Sequence, residues 1–280
     1  VCFANPGTSE MHFVSALDRV EGVRCILGLF EGVVTGAADG YYRMAGKPAA
    51  TLLHLAPGLG NGLANLHNAK KARSGIVNIV GEHAGYHIQY DAPLTADIEG
   101  VARPMSDWVK TSHSAKSIAG DGALAIEAAR TAPGQIATLI LPADTAWGEA
   151  DGPAQVAAPA PRAAVSSDAI ARGVRALKKG KATTLLLGNA ALRGKALEWA
   201  GRIAAKTGCM LLSEFNNARI ERGAGRAQVR QLSFIVERSL EMLKDTRELV
   251  MVGAKLPVSF FAYPGKPSVL VPEGCDVISV

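Results

Sequence analysis

Aromatic side chains are scarce in this chain, 5% of 280 residues. Its core must therefore be built from Ala, Val, Leu and Ile, within a hydrophobic content of 48%. Cysteine is rare too. Cys2, Cys25, Cys209 and Cys275 are scattered, with neither CxxC pairs nor metal-ligand spacing. That argues for buried free thiols in a reducing cytoplasm and against a disulfide scaffold. No apolar run approaches the roughly 20 residues that a membrane span needs, and no charged-then-apolar leader precedes the first motif. Charge of one sign is not massed either. The formal net charge of +5 is spread through sites such as Lys70-Lys71-Arg73 and Lys178-Lys179-Lys181. Both clusters fall at or near expected helix ends, where cations offset the helix dipole, and both lack interleaved aromatics. Neither a membrane nor a nucleic acid is an expected partner.

What is present is concentrated between Phe30 and Asn61. Phe30, Val33, Val34, Ala37, Ala38 and Tyr41 recur at helical spacing, so residues 30–46 are expected to form an apolar helix headed by Glu31. Gly36 and Gly40 would admit another backbone or a flat ligand. Gly46-Lys47-Pro48 ends the helix, Ala50 to Leu55 reads as a buried strand, and a glycine-rich turn follows. His54 then lies at the carboxyl end of a strand, the edge where open α/β sheets bind ligands. Upstream, Thr8 is the expected N-cap of a helix over Ser9–Val20, with Glu10 and Met11 in its first turn.

Helices and strands alternate on both sides of Gly148–Val165, a Pro/Ala-rich stretch without periodicity. The expected fold class is α/β, with two doubly wound parallel-sheet, three-layer domains at residues 1–147 and 166–280, joined by a linker at 148–165. The chain opens inside what should be the first strand and closes on the apolar triplet Ile278-Ser279-Val280, so a further domain is expected beyond it.

These motifs carry a family resemblance. NPGTSEMHF at Asn5–Phe13, the Phe30–Asn61 segment, IVNIVGEHA, APGQIATLILPADTAWG and LLLGNAALRG occur in the order seen in thiamine-diphosphate (ThDP) enzymes. The chain resembles their N-terminal pyrimidine-binding and Rossmann-like middle domains, most nearly those of acetolactate synthase large subunits and benzoylformate decarboxylase. The resemblance implies decarboxylation or carboligation of a small 2-oxo acid. Glu31 would match the glutamate that hydrogen-bonds the aminopyrimidine, with Leu29, Phe30, Val33 and Val34 burying it. His54 would match an active-site histidine of the decarboxylase, and Thr8 a substrate-contacting serine. Asn5, Pro6, Gly7, Pro57 and Asn61 would join Glu31 on the pyrimidine side of the cofactor. The resemblance also implies a homodimer or dimer of dimers with sites at subunit interfaces. Mg²⁺ and the diphosphate would be held by a C-terminal domain, so residues 1–280 alone are expected to be inactive. Gly120-Asp121-Gly122 imitates that domain's metal motif, yet it opens a helix of the first domain, where Asp121 suits the dipole. FAD lies on the middle domain in some acetolactate synthases, but no motif here identifies its site. One departure bears on the reaction: Pro257–Tyr263 places Ala262 where the decarboxylase carries a second histidine, and Phe260 and Phe261 could line an acceptor pocket.

Two readings from other classes remain. Gly58-Leu59-Gly60-Asn61-Gly62, with Glu82 about 20 residues on, imitates an NAD-binding fingerprint, but Leu63 stands where the third glycine belongs. The chain could also be a non-catalytic binding module or fragment.

Overall fold

Three parallel strands set the first sheet: β1 (Cys2–Asn5), β2 (Cys25–Leu27) and β3 (Ala49–Leu53). They continue into β4 (Ile76–Glu82), β5 (Trp108–Thr111) and β6 (Ile136–Pro142), in the spatial order β2-β1-β3-β4-β6-β5. Every pairing is parallel. Period-two alternation feeds two cores. Leu53, Ile76, Val80, Ile136 and Ile140 face one, while Leu52, Val77, Ile79, Ala137 and Leu139 face the other. Helices α2 (Glu31–Ala45) and α3 (Leu55–Ala72) cover the first core, where Val34, Ala38, Leu59 and Leu66 are buried. Helices α1 (Met11–Arg19) and α5 (Ile118–Arg130) cover the second through Val14, Leu17, Ala125 and Ala129. A short α4 (Ile98–Ala102) precedes β5. The computed structural model describes residues 1–280, in two units, Val1–Arg162 and Ala163–Val280.

The second unit repeats the plan. Strands β7 (Thr183–Leu187), β8 (Met210–Ser213), β9 (Arg230–Gln231), β10 (Glu248–Val252) and β11 (Asp276–Ser279) lie in the order β11-β10-β7-β8-β9, again all parallel. Leu185, Leu187 and Val250 face one core with α6 (Ser167–Leu177) and α7 (Gly194–Thr207); Leu186, Leu212, Leu249 and Met251 face another with α8 (Val236–Leu243). The fold class is therefore doubly wound α/β in both units. Residues 149–166 carry no regular element. No helix is long and apolar enough to cross a membrane.

Several local expectations are corrected. The glycine-rich segment after β3 is not a turn: α3 begins at Leu55 and runs through Gly58, Gly60 and Gly62. Helix packing overrides glycine's weak propensity, because a Cβ on Gly62 would stand 2.9 Å from Thr35 Cγ2 across α2. The NAD fingerprint falls with that turn, since its glycines lie within a helix and Glu82 is buried against the backbone N–H of His83. Gly36 does sit close to Asn65 of α3, but Gly40 faces open space. Thr8 caps no helix. It is exposed in a 3-10 turn over Thr8–Glu10, and the chain enters that turn from Gly7. Cys2 and Cys209 are buried, whereas Cys25 is exposed and Cys275 partly so. Strands β5 and β9 and helix α4 were too short to leave a periodic signal.

Candidate active site

The first sheet reverses direction at β1. The chain passes from β1 to β2 on one side and then returns to β3 on the other. The switch point thus lies between β1 and β3, whose ends pair at Asn5 and Leu53. Ligands in open parallel sheets bind at such a crevice. Two sequence motifs meet there: the Asn5-Pro6-Gly7 loop leaves β1, and His54 leaves β3. Leu55 follows with φ +48. This left-handed geometry is unusual for a non-glycine residue and turns the chain sharply into α3.

His54 packs directly on the loop. A Cβ on Gly7 would fall 2.3 Å from its Nδ1, so only glycine fits beneath the ring. The partner of that ring is Glu10. Its Oε2 accepts the Gly7 backbone N–H at 2.7 Å and stands 2.8 Å from His54 Nδ1, while its Oε1 accepts Ser9 Oγ–H at 2.7 Å. Glu10 is only 4% exposed. A carboxylate can only accept, so this network assigns the Nδ1 hydrogen to His54. Its Nε2 is left as the nitrogen that the chain does not engage. The sequence reading gave Glu10 no such role. Its signal was the capping-box spacing, an acidic residue three positions after the residue whose N–H it accepts.

Glu31 heads α2, and Asn61 of α3 donates from Nδ2 to its Oε2 at 3.0 Å. Asn65 fixes the same helix end by donating to the Gly32 carbonyl at 2.7 Å. Gly58 lies between the two halves of the site, since a Cβ there would be 3.4 Å from both Glu31 Oε1 and His54 Cβ. The fold therefore gathers Gly7, Glu10, His54, Gly58, Glu31 and Asn61 into one cluster. It does not recruit every predicted residue equally. Asn5 spends its amide on the Gly28 carbonyl at 2.7 Å, tying β1 to the end of β2. Thr8 and Pro57 are exposed, and neither makes a side-chain hydrogen bond to the cluster.

The apolar residues expected to bury Glu31 do not close over it within this chain. Leu29 is 90% exposed, Val33 59% and Phe30 50%; only Val34 is buried. The cluster is thus open on its Glu31 side and bordered there by uncovered apolar surface. Asp121 belongs elsewhere. Burial opposes its ionisation, but hydrogen bonds from Lys110 and Ser112 outweigh burial and hold its pKa below the usual value. It is a structural ion pair in the first turn of α5.

Several known proteins are similar to this chain. Residues 1–102 match the family described as thiamine pyrophosphate enzyme, N-terminal TPP binding domain. The chain is 53% identical over 278 residues to IlvX of Mycobacterium tuberculosis, whose naming as an acetolactate synthase large subunit is itself provisional; the match covers 99% of this chain and 53% of the relative. It is 35% identical over 143 residues to the benzoylformate decarboxylase of Pseudomonas aeruginosa, covering 51% of this chain and 27% of that one. Among solved structures, the thiamine diphosphate-dependent 4-hydroxybenzoylformate decarboxylase of Rhodococcus jostii superimposes with a TM-score of 0.85 at 25% identity, over 99% of this chain and 53% of its own. The chain thus spans about half the length of IlvX and of that structure.

Proposed function

We propose, from the match of residues 1–102 to the thiamine pyrophosphate enzyme N-terminal domain, that the Glu31–His54 cluster is the aminopyrimidine side of a ThDP site. The reaction proposed is decarboxylation of a small 2-oxo acid with transfer of the remaining fragment, in the manner of acetolactate synthase large subunits. One observation carries the proposal: Glu31 starts a helix with one oxygen fixed by Asn61 and the other beside Gly58, opposite His54.

The residues fit such a cofactor side. Gly58 leaves open the space that a side chain would fill between the carboxylate and the imidazole. Asn61 occupies Glu31 Oε2, so Oε1 is the atom available to take up or return a proton. Glu10 orients His54 through Nδ1, which makes Nε2 the atom that exchanges a proton with substrate. When bound, ThDP supplies the electron sink for loss of the carboxylate carbon, chemistry that no side chain here provides. No group of three or more His, Cys, Asp or Glu side chains is clustered in this chain. We propose, as the resemblance implies, that the diphosphate and its Mg²⁺ are held by a C-terminal domain through hard oxygen ligands.

We further propose that a second copy of the chain covers Leu29, Phe30 and Val33. Exposed apolar residues contiguous with a site mark an interface more often than free surface, and covering them would exclude water from Glu31. A benzoylformate decarboxylase-like reaction is the second reading, favoured by the oriented imidazole of His54 and opposed by Ala262.

The test is Glu31→Gln in the full-length protein, assayed with ThDP and Mg²⁺ against pyruvate and benzoylformate. The fold should persist and turnover should fall by ~10²–10⁴-fold, the usual worth of one acid–base group. A variant keeping more than a tenth of wild-type turnover would remove Glu31 from the mechanism. The preferred substrate separates the two reactions.

A further inference from the structure

The second unit has its own switch point. The chain moves from β7 to β8 and β9 on one side, then returns to β10 and β11 on the other, so the crevice lies between the ends of β7 and β10. In a Rossmann-like sheet this is where a dinucleotide lies, with its diphosphate on backbone amides and a helix N-terminus. Glycines and a helix start stand at this crevice. Gly188 and Gly253 end the two strands, Asn189 follows with φ +47, and Gly194 opens α7.

Each of these elements is already engaged by the chain itself. The strand ends are packed together: a Cβ on Gly188 would fall 2.6 Å from the Gly253 carbonyl, and Asn189 Nδ2 donates to that same carbonyl at 2.9 Å. The Glu214 carboxylate lies across them. Its Oε1 is 2.4 Å from the Cβ position of Gly188, and its Oε2 accepts the Lys255 backbone N–H at 3.1 Å. At the helix end, Glu221 Oε2 accepts the Gly194 N–H at 2.9 Å, while Arg219 lies 2.9 Å and Arg226 3.6 Å from the same carboxylate. The Gly194 amide, with Arg219 and Arg226 beside it, lowers the pKa of Glu221 and keeps it anionic.

We infer that Glu214 and Glu221 are internal occupants of the phosphate positions in this crevice, and that the second unit excludes FAD, NAD and other dinucleotides. Two fixed carboxylates take the amides and the arginines that an anionic ligand would need, and they repel its charge. The FAD considered for the middle domain thus has no seat in this crevice. The inference is independent of the proposed function, because it concerns another unit and is read by binding rather than turnover.

The experiment uses the full-length protein. As purified it should show no flavin absorbance band, and titration with FAD, NADH or ADP to millimolar concentration should give no saturable signal. Flavin or nucleotide bound at one equivalent per chain would overturn the inference. The double variant Glu214→Ala/Glu221→Ala frees the Lys255 and Gly194 amides and should gain at least tenfold in affinity for ADP or FAD. The single variants serve if the double variant does not fold. Folded variants that still ignore all three ligands would also overturn it, because the carboxylates would then not be what excludes them.

Discussion

Replacing Glu10 by alanine removes the acceptor on which the β1–β3 crevice is organised. Three donors converge on this carboxylate, from Gly7 N–H, His54 Nδ1 and Ser9 Oγ. Ser9 can turn its hydroxyl elsewhere, but Gly7 and His54 are held in place and lose their acceptor. Each such donor costs about 1–3 kcal/mol. Both groups are half-buried, so the lower part of that range applies and the sum is about 2–4 kcal/mol. For a unit of this size the melting temperature should drop on the order of 10 °C. Glu10→Gln separates hydrogen bonding from charge. Its amide oxygen can replace Oε2 toward Gly7 and His54, and its NH₂ can donate to Ser9, so only the charge assistance is lost, about 1–2 kcal/mol. Urea unfolding of both variants measures the two costs. If Glu10→Ala costs less than about 0.5 kcal/mol, the size of an ordinary surface substitution, the network does not hold the crevice and the orientation of His54 has another cause.

Two further outcomes are expected. Burial raises the Glu82 pKa above its ordinary value of 4.5, partly offset by the His83 N–H. The folded state therefore prefers the neutral acid, and stability present below the unfolded pKa is lost as pH rises through the folded one. Glu82→Gln keeps the His83 hydrogen bond, so it should match wild type in acid and exceed it near neutral pH in thermal unfolding; equal stability at both would show that burial costs this carboxylate nothing. Burial, and secondarily the neighbouring Cys25, push the Cys2 thiol up to about 12. Iodoacetamide at mildly alkaline pH should then modify exposed Cys25 and leave Cys2 intact by peptide mass spectrometry, and early labelling of Cys2 would refute its burial.

How much of this was legible in the sequence depends on the range of each interaction. The alternation of helices and strands, the start of α2 at Glu31, its end at Gly46 with φ +69 and the position of His54 after β3 are set by apolar period and by glycine punctuation within a few residues. They could be read directly. The segment from Gly58 to Gly62 could not, because its local signal is a turn and only packing against Thr35 and Glu31 makes it the first half of a helix. Glu10 was legible as a first-turn acid, through its spacing from Gly7. That it orients a histidine 44 residues away follows from the parallel pairing of β1 with β3, which no local pattern encodes. Similarly, the sequence supplied glycines and a helix start in the second unit, and the fold then laid Glu214 and Glu221 across them. Sequence alone determined which residues could do chemistry, since period, capping and side-chain type act locally. Which of them meet was decided by tertiary structure, because strand order arises from burying two apolar faces at once, and that choice brings distant strand ends together.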